Sequence, residues 1–197
     1  MVTVIEFTYN HLDTTLAPEI GTTGLQCDKK YILTFIDLDA ILPGTKVQSI
    51  ILHWYQSHLL VDCTNPHHPS LIVPGKSHED RGPLAASYIA PRAPPHTRHR
   101  YVFLLFAQPS EYLFPDCFSH VFPETPSARS GFDIRRFAQA AGLDLPLAMN
   151  FFIGRHEPTD GGPTSVFRAT KTSFRSVNCP TSATRSLYEA NHTWRWE

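Results

Sequence analysis

Methionine occurs only twice in 197 residues, and no apolar run approaches the roughly 18 residues that a membrane-spanning helix requires. A helical transmembrane segment is therefore excluded. Charge of either sign is also scarce: charged residues make up 18%, and the formal net charge of -1 provides no global field for nucleic acid. The chain has no CxxC pair, no GxSxG and no HExxH, so zinc-finger, thioredoxin-like, serine-hydrolase-elbow and zincin readings have no motif behind them. Proline, by contrast, is abundant. Seventeen prolines imply many strand-ending turns and few long helices, and 42% hydrophobic residues provide for a sizeable core. A single β-dominated globular domain is the expectation.

The N-terminus, MVTVIEFTYN, lacks the basic and apolar regions of a signal peptide. Cytoplasmic residence is expected unless a leader has been removed, in which case the chain is secretory. Cys27, Cys63, Cys117 and Cys179 are even in number and widely spaced, which allows two disulfides or four buried thiols, with the pairing open. Asn191-His192-Thr193 is a glycosylation sequon at Asn191 and favours the secretory alternative.

Strands are predicted over 2–9, 31–38, 49–61, 99–106 and 145–154 from their β-branched and aromatic content. The spacing predicts one clear helix over 131–143, capped by Asp133, with Ile134, Phe137, Ala138 and Ala141 as its apolar stripe and Gly142 at its end. Residues 62–83 and 109–130 read as irregular loops, and the His67-His68 pair in the first of them as solvated. Strict alternation puts Asp37 and Asp39 on one face of the second strand, His53 and Tyr55 on one face of the third, and His99 and Tyr101 on one face of the fourth. Polar groups delivered by separate strands suit a concave, mostly apolar site with a few convergent polar side chains.

The ordered set DLDA (37–40), LHWYQ (52–56), YIAPRAPP (88–95), HRYVFLLF (99–106) and FDIRRFAQAAGLDLPLAMNFF (132–152) resembles the phosphatidylethanolamine-binding protein family, which includes the Raf kinase inhibitor proteins, over residues 2–155. The resemblance implies a mainly β fold, with a large central antiparallel sheet packed on a smaller one and few short helices. It also implies an anion-binding pocket at one end of the main sheet. The family-like domain would occupy 1–157, with 158–197 a C-terminal extension docked on it. Carried over residue by residue, the pocket falls on Asp37, Asp39, His53, His99 and Tyr101, with Ala93 and Pro95 on the rim. Asp37, His53, His99 and Tyr101 are also the candidates for any catalytic role. No cofactor is implied; two histidines and a carboxylate also form a known metal-binding set, but the family pocket binds anions without metal.

Two departures stand out. The family's DPDAP is Asp37-Leu38-Asp39-Ala40-Ile41 here, and its Gly-rich lead into HRY is His96-Thr97-Arg98, so Arg98 becomes a candidate guanidinium for a phosphate- or carboxylate-bearing ligand. The wording of LHWYQ and FDIRRFAQAAGLDLPLA is most similar to fungal branches of the family, some of which are associated with secondary-metabolite gene clusters. Three functions follow from the resemblance. They are a binding module for a small anionic ligand, an enzyme or accessory enzyme that couples or cyclises a carboxylate or anhydride intermediate, alone or beside a partner enzyme, and a protease or kinase inhibitor.

Overall fold

The computed structural model describes residues 4–8, 14–42, 45–64, 67, 69–72 and 85–155. His68 and the whole of the proposed 158–197 extension, with Cys179 and Asn191, lie outside the described residues. The strands are β1 (Val4–Thr8), β2 (Glu19–Thr23), β3 (Tyr31–Ile41), β4 (Gln48–Asp62), β5 (Ser70–Ile72), β6 (Ala85–Ala86), β7 (Arg98–Ala107) and β8 (Ala148–Arg155). They run antiparallel in the order β1-β2-β5-β4-β3-β7-β8, with β6 also on β4.

One long strand serves two sheets. Tyr31 pairs with Leu59 but Leu33 with Gln56, so β4 carries an extra residue near Ser57 and His58, and His58 takes a left-handed φ of 58°. Such a bulge bends and twists the strand that carries it. Past the bend, Leu60, Val61 and Asp62 pair with β5 in the small sheet, while the earlier part of β4 stays in the main one. A Cys27–Cys63 disulfide, closing a sequence separation of 36, holds that corner. Loops of this size stabilise a fold by about 3–4 kcal/mol when closed.

The central strands of the main sheet, β3, β4 and β7, are buried on both faces. Its inner face sets Tyr31, Leu33, Phe35, Tyr101, Phe103 and Leu105 against Ile20, Leu59 and Leu71 of the small-sheet side. The outer face, with Ile32, Ile36, Leu52, Val102 and Leu104, is covered by a 3-10 turn (Asp116–Val121), α1 (Pro126–Arg129) and α2 (Ile134–Ala140). Phe118, Phe132 and Phe137 are part of that cover, each worth about 1.5–3 kcal/mol when fully removed from water. In α2, Asp133 accepts from the Arg135 and Arg136 amides and Gly142 turns the chain at φ 64°. The ends of the predicted 131–143 helix are thus spent on its caps.

Two segments read as loops hold short elements. Ser70–Ile72 lies within 62–83 and becomes a strand because β2 and β4 offer it ladder partners; α1 and the 3-10 turn lie within 109–130 and form where aromatic residues close over the sheet.

Candidate functional site

Four polar side chains converge at the end of the main sheet where β3 finishes and β7 begins. On β7, the alternation turns His99 and Tyr101 to the inner face, both buried, and leaves Arg98 and Arg100 exposed on the other. Arg98 therefore does not share the face of His99. It stands opposite Arg155 of β8 in the register.

His53 reaches the same place by breaking its strand's alternation. Phe35 pairs with Trp54 and Ile36 with Leu52, so His53 is an extra, bulged residue. Tyr55 consequently joins Leu52 on the outer face, whereas His53 packs against Phe35 and Tyr101 on the inner one. Strict alternation, which pairs His53 with Tyr55, fails because the bulge inserts one residue.

A third irregularity separates the two aspartates. Asp37 pairs with Ile51 but Ala40 with Ser49, so β3 bulges at Leu38 and Asp39. Asp37 turns inward, where its Oδ2 accepts from His99 Nδ1 at 2.7 Å and its Oδ1 from the Asp39 amide at 2.8 Å. Asp39 instead takes the Arg100 guanidinium through Nε at 2.8 Å and Nη2 at 2.7 Å, and also accepts the Arg100 amide. That pairing holds the Asp39 carboxyl below the ordinary range. With Gln48 as a further donor, Asp39 is spent on closing the sheet end.

The hydrogen bonds fix which nitrogen each imidazole presents. His53 Nδ1 lies 2.8 Å from the Ile89 carbonyl oxygen, which accepts only, so Nδ1 carries the proton. His99 Nδ1 donates to Asp37 in the same way. Both rings are left with Nε2 for another partner. Burial is the largest influence on His53 and lowers its proton affinity, helped by Arg129 and His99 and opposed by the Ile89 carbonyl and Asp37. The ring is neutral at pH 7, and its Nε2 is a lone pair.

Between the imidazoles stands Tyr101, edge-on to His53 and stacked over His99 and Phe152. Its hydroxyl is sealed and makes no hydrogen bond, although the Arg92 backbone lies close enough to favour the phenolate slightly. Burial first, then the Asp37 charge, raises the phenol well above its usual range, so it is a donor at any ordinary pH. An unpaired buried hydroxyl costs about 1–3 kcal/mol, which a ligand able to accept from it would recover. Among the described residues no three His, Cys, Asp or Glu side chains are grouped to hold a metal ion.

Space for the phenol ring depends on Gly154 of β8. A Cβ there would lie 2.6 Å from Tyr101 Cε2 and 3.1 Å from Cδ2. Held between Phe35, His99 and Phe152, the ring has little room to yield. Gly154→Ala is expected to cost about 1–3 kcal/mol of stability, read as a lower urea midpoint, and to change the near-ultraviolet circular dichroism of the tyrosine.

The connection from β6 to β7 forms the rim. Tyr88 stacks on Phe35 and meets Trp54 edge-on, Ala93 is half-buried, and Pro95 is exposed just before a turn with His96 at φ 62°. Arg129, which no sequence signal marks, holds this rim in place. Its side chain has no exposed surface. Nε donates to the carbonyls of Val121 and Pro123 at 2.8 and 3.2 Å, and Nη1 to those of His53, at 3.3 Å, and Ser87. Thr125 caps α1 and Ser130 bridges to Ile51, which brings the guanidinium under the bulge. A lone arginine among Ser and Ala in a loop carries no periodic signal.

A family model described as phosphatidylethanolamine-binding protein matches residues 3–152. Two curated relatives are both named Phomoidride biosynthesis cluster protein N. The one from Talaromyces stipitatus is 36% identical over 129 residues, covering 63% of this chain and 58% of the relative. The one from Fungal sp. is 39% identical over 144 residues, covering 69% and 58%. The chain thus spans 58% of the length of each relative. Among solved structures, a carboxypeptidase Y inhibitor complexed with its cognate proteinase superposes with a TM-score of 0.53 at 18% identity, over 79% of this chain and 84% of that one. At that identity the likeness is one of fold.

Proposed function

The chain belongs to the phosphatidylethanolamine-binding protein family, and on that premise we propose that the site at the sheet end binds the acidic head of a small molecule, an intermediate of fungal secondary metabolism. One observation carries the reading: His53 and His99 both have Nδ1 committed to the protein and Nε2 uncommitted, beside a tyrosine hydroxyl that has no acceptor. The aromatic wall of Phe35, Tyr88, Tyr101 and Phe152 suits an apolar body attached to a phosphate or carboxylate. The names of the two fungal relatives support the metabolic setting.

The tautomers also constrain the head group. A neutral His53 presents a lone pair, which repels an anionic oxygen and attracts an acidic proton. The ligand therefore binds with one proton retained, on itself or on His53. Above the ordinary imidazole value of about 6.5, neither a free carboxylate nor His53 carries that proton, and binding must take it up. Affinity for an aromatic monocarboxylate such as cinnamate is expected to fall by up to about tenfold per pH unit there, and to level off at lower pH. Titration calorimetry at pH 7.5 in buffers of different ionisation enthalpy reads the uptake directly. Binding that takes up no proton would sink the proposal, as would unchanged binding in His53→Ala.

A second reading rests on the buried 2.7 Å bond between Asp37 and His99. A carboxylate that orients one imidazole nitrogen leaves the other to act as a base, and the Tyr101 hydroxyl could then stabilise a developing enolate. On this reading the site would act on the bound acid or anhydride as well as hold it.

A further inference from the structure

On the reading proposed above, on which this inference rests, a bound acid and His53 share one proton. The charges around the ring decide which of the two keeps it. A ring charged by that proton would stand buried beside Arg129, whose Nη1 donates to the His53 carbonyl at 3.3 Å. Among the described residues no carboxylate pairs with that guanidinium. Its acceptors are four backbone carbonyls and the Ser87 hydroxyl, and the carboxylate that acts on it, Glu124, is exposed and bonded to Ser87 instead.

The ligand's side of the choice is no better for a charge. A carboxylate stripped of its proton would enter a pocket that already holds Asp37, buried and engaged by His99 Nδ1 and the Asp39 amide. Two carboxylates in one site raise the proton affinity of one of them. Burial is the largest obstacle to charging His53; the Ile89 carbonyl and Asp37 favour it, Arg129 and His99 oppose it, and Tyr101 stays an uncharged phenol. An imidazolium paired with a carboxylate would take two ions out of water at once, whereas a neutral donor on a neutral acceptor takes none. The proton stays on the ligand.

We infer that the site recognises its ligand as a hydrogen-bond donor, an O–H or N–H that donates to the His53 Nε2 lone pair beside an oxygen that accepts from Tyr101. The ligand class then runs from undissociated acids, and phosphates that keep one proton, to primary amides. An amide carries the same donor and acceptor with no charge at any ordinary pH.

Titration calorimetry of the full chain with cinnamate and cinnamamide at pH 6.0 and 8.0 tests this. The affinity of cinnamamide should change by less than about threefold between the two, while that of cinnamate falls by more than about tenfold, leaving the amide the tighter ligand at pH 8.0. N,N-dimethylcinnamamide has no N–H and should bind at least about tenfold more weakly than the parent amide. Nitrogen-15 spectra of the cinnamate complex should show the His53 ring uncharged. A charged ring in that complex would overturn the inference, as would a dimethylamide that binds as tightly as the amide. Cinnamate that binds with proton uptake while cinnamamide does not bind would overturn it and leave the acidic-ligand reading standing. Cinnamate bound without proton uptake, or no binding of either compound, would remove both.

Discussion

Arg129→Ala is expected to lower stability by about 3–5 kcal/mol, enough to bring a domain of ordinary stability close to unfolding at 37 °C. The guanidinium is sealed and donates to the backbone carbonyls of Val121, Pro123, His53 and Ser87, which come from three separate stretches of chain. Alanine leaves those oxygens buried without donors, at about 1–3 kcal/mol each before water entering the cavity offsets part of the loss. Arg129→Met separates hydrogen bonding from packing, because methionine restores most of the volume and none of the donors. Urea denaturation of both variants decides it. Midpoints equally low for Ala and Met would confirm the carbonyl clamp, and a Met variant close to wild type would show that volume was what mattered. Since the His53 carbonyl also accepts from the Ile89 amide while the His53 ring donates to the Ile89 carbonyl, loss of the clamp should also weaken ligand binding.

The other large effect is expected at Asp37, where it separates binding from catalysis. Asp37→Asn keeps the shape but offers one oxygen to two donors, the Asp39 amide and His99 Nδ1. If the amide oxygen stays with Asp39, the NH2 group faces Nδ1, and His99 must shift its proton to Nε2. The fold loses a buried charge-assisted hydrogen bond worth about 1.5–3 kcal/mol. The site keeps its affinity for an anion within about tenfold, because Nε2–H is now a fixed donor. Base catalysis through Nε2 would be lost by roughly two to four orders of magnitude. Nitrogen-15 spectra of the His99 ring check the tautomer, and calorimetry with phenyl phosphate checks the binding. Turnover of any substrate that survives Asp37→Asn unchanged would remove the dyad from the chemistry.

The long strands of the main sheet were legible because each is rich in β-branched and aromatic residues, whereas the two-residue β6 (Ala85–Ala86) carries no such signal. The helix was legible because Asp133 and Gly142 bracket a 3.6-residue stripe. Within β7, where no bulge intervenes, alternation alone placed His99 and Tyr101 together; the strand starts one residue earlier than its sequence suggests, and the same alternation then turns Arg98, a pocket candidate on sequence grounds, to the face opposite His99. The same rule misled at two points. It grouped Asp37 with Asp39 and His53 with Tyr55, yet β3 bulges at Leu38 and Asp39 and β4 bulges at His53. A bulge is a mismatch between two strands, so neither strand's own sequence encodes it.

By itself, the sequence determined the family, the mainly β architecture, and the polar residues that the strands bring to one end. These depend on side-chain type and local period, which are properties of contiguous residues. Only the tertiary structure decided that Asp37 is spent on His99 and Asp39 on Arg100, which imidazole nitrogens are left for a ligand, and that Arg129 secures the bulge from beneath. Those outcomes rest on hydrogen bonds between groups that are distant in the chain, Asp37 and His99 being 62 residues apart and Arg129 and His53 76. Each is settled by which buried donors and acceptors must find partners once the sheet has curled.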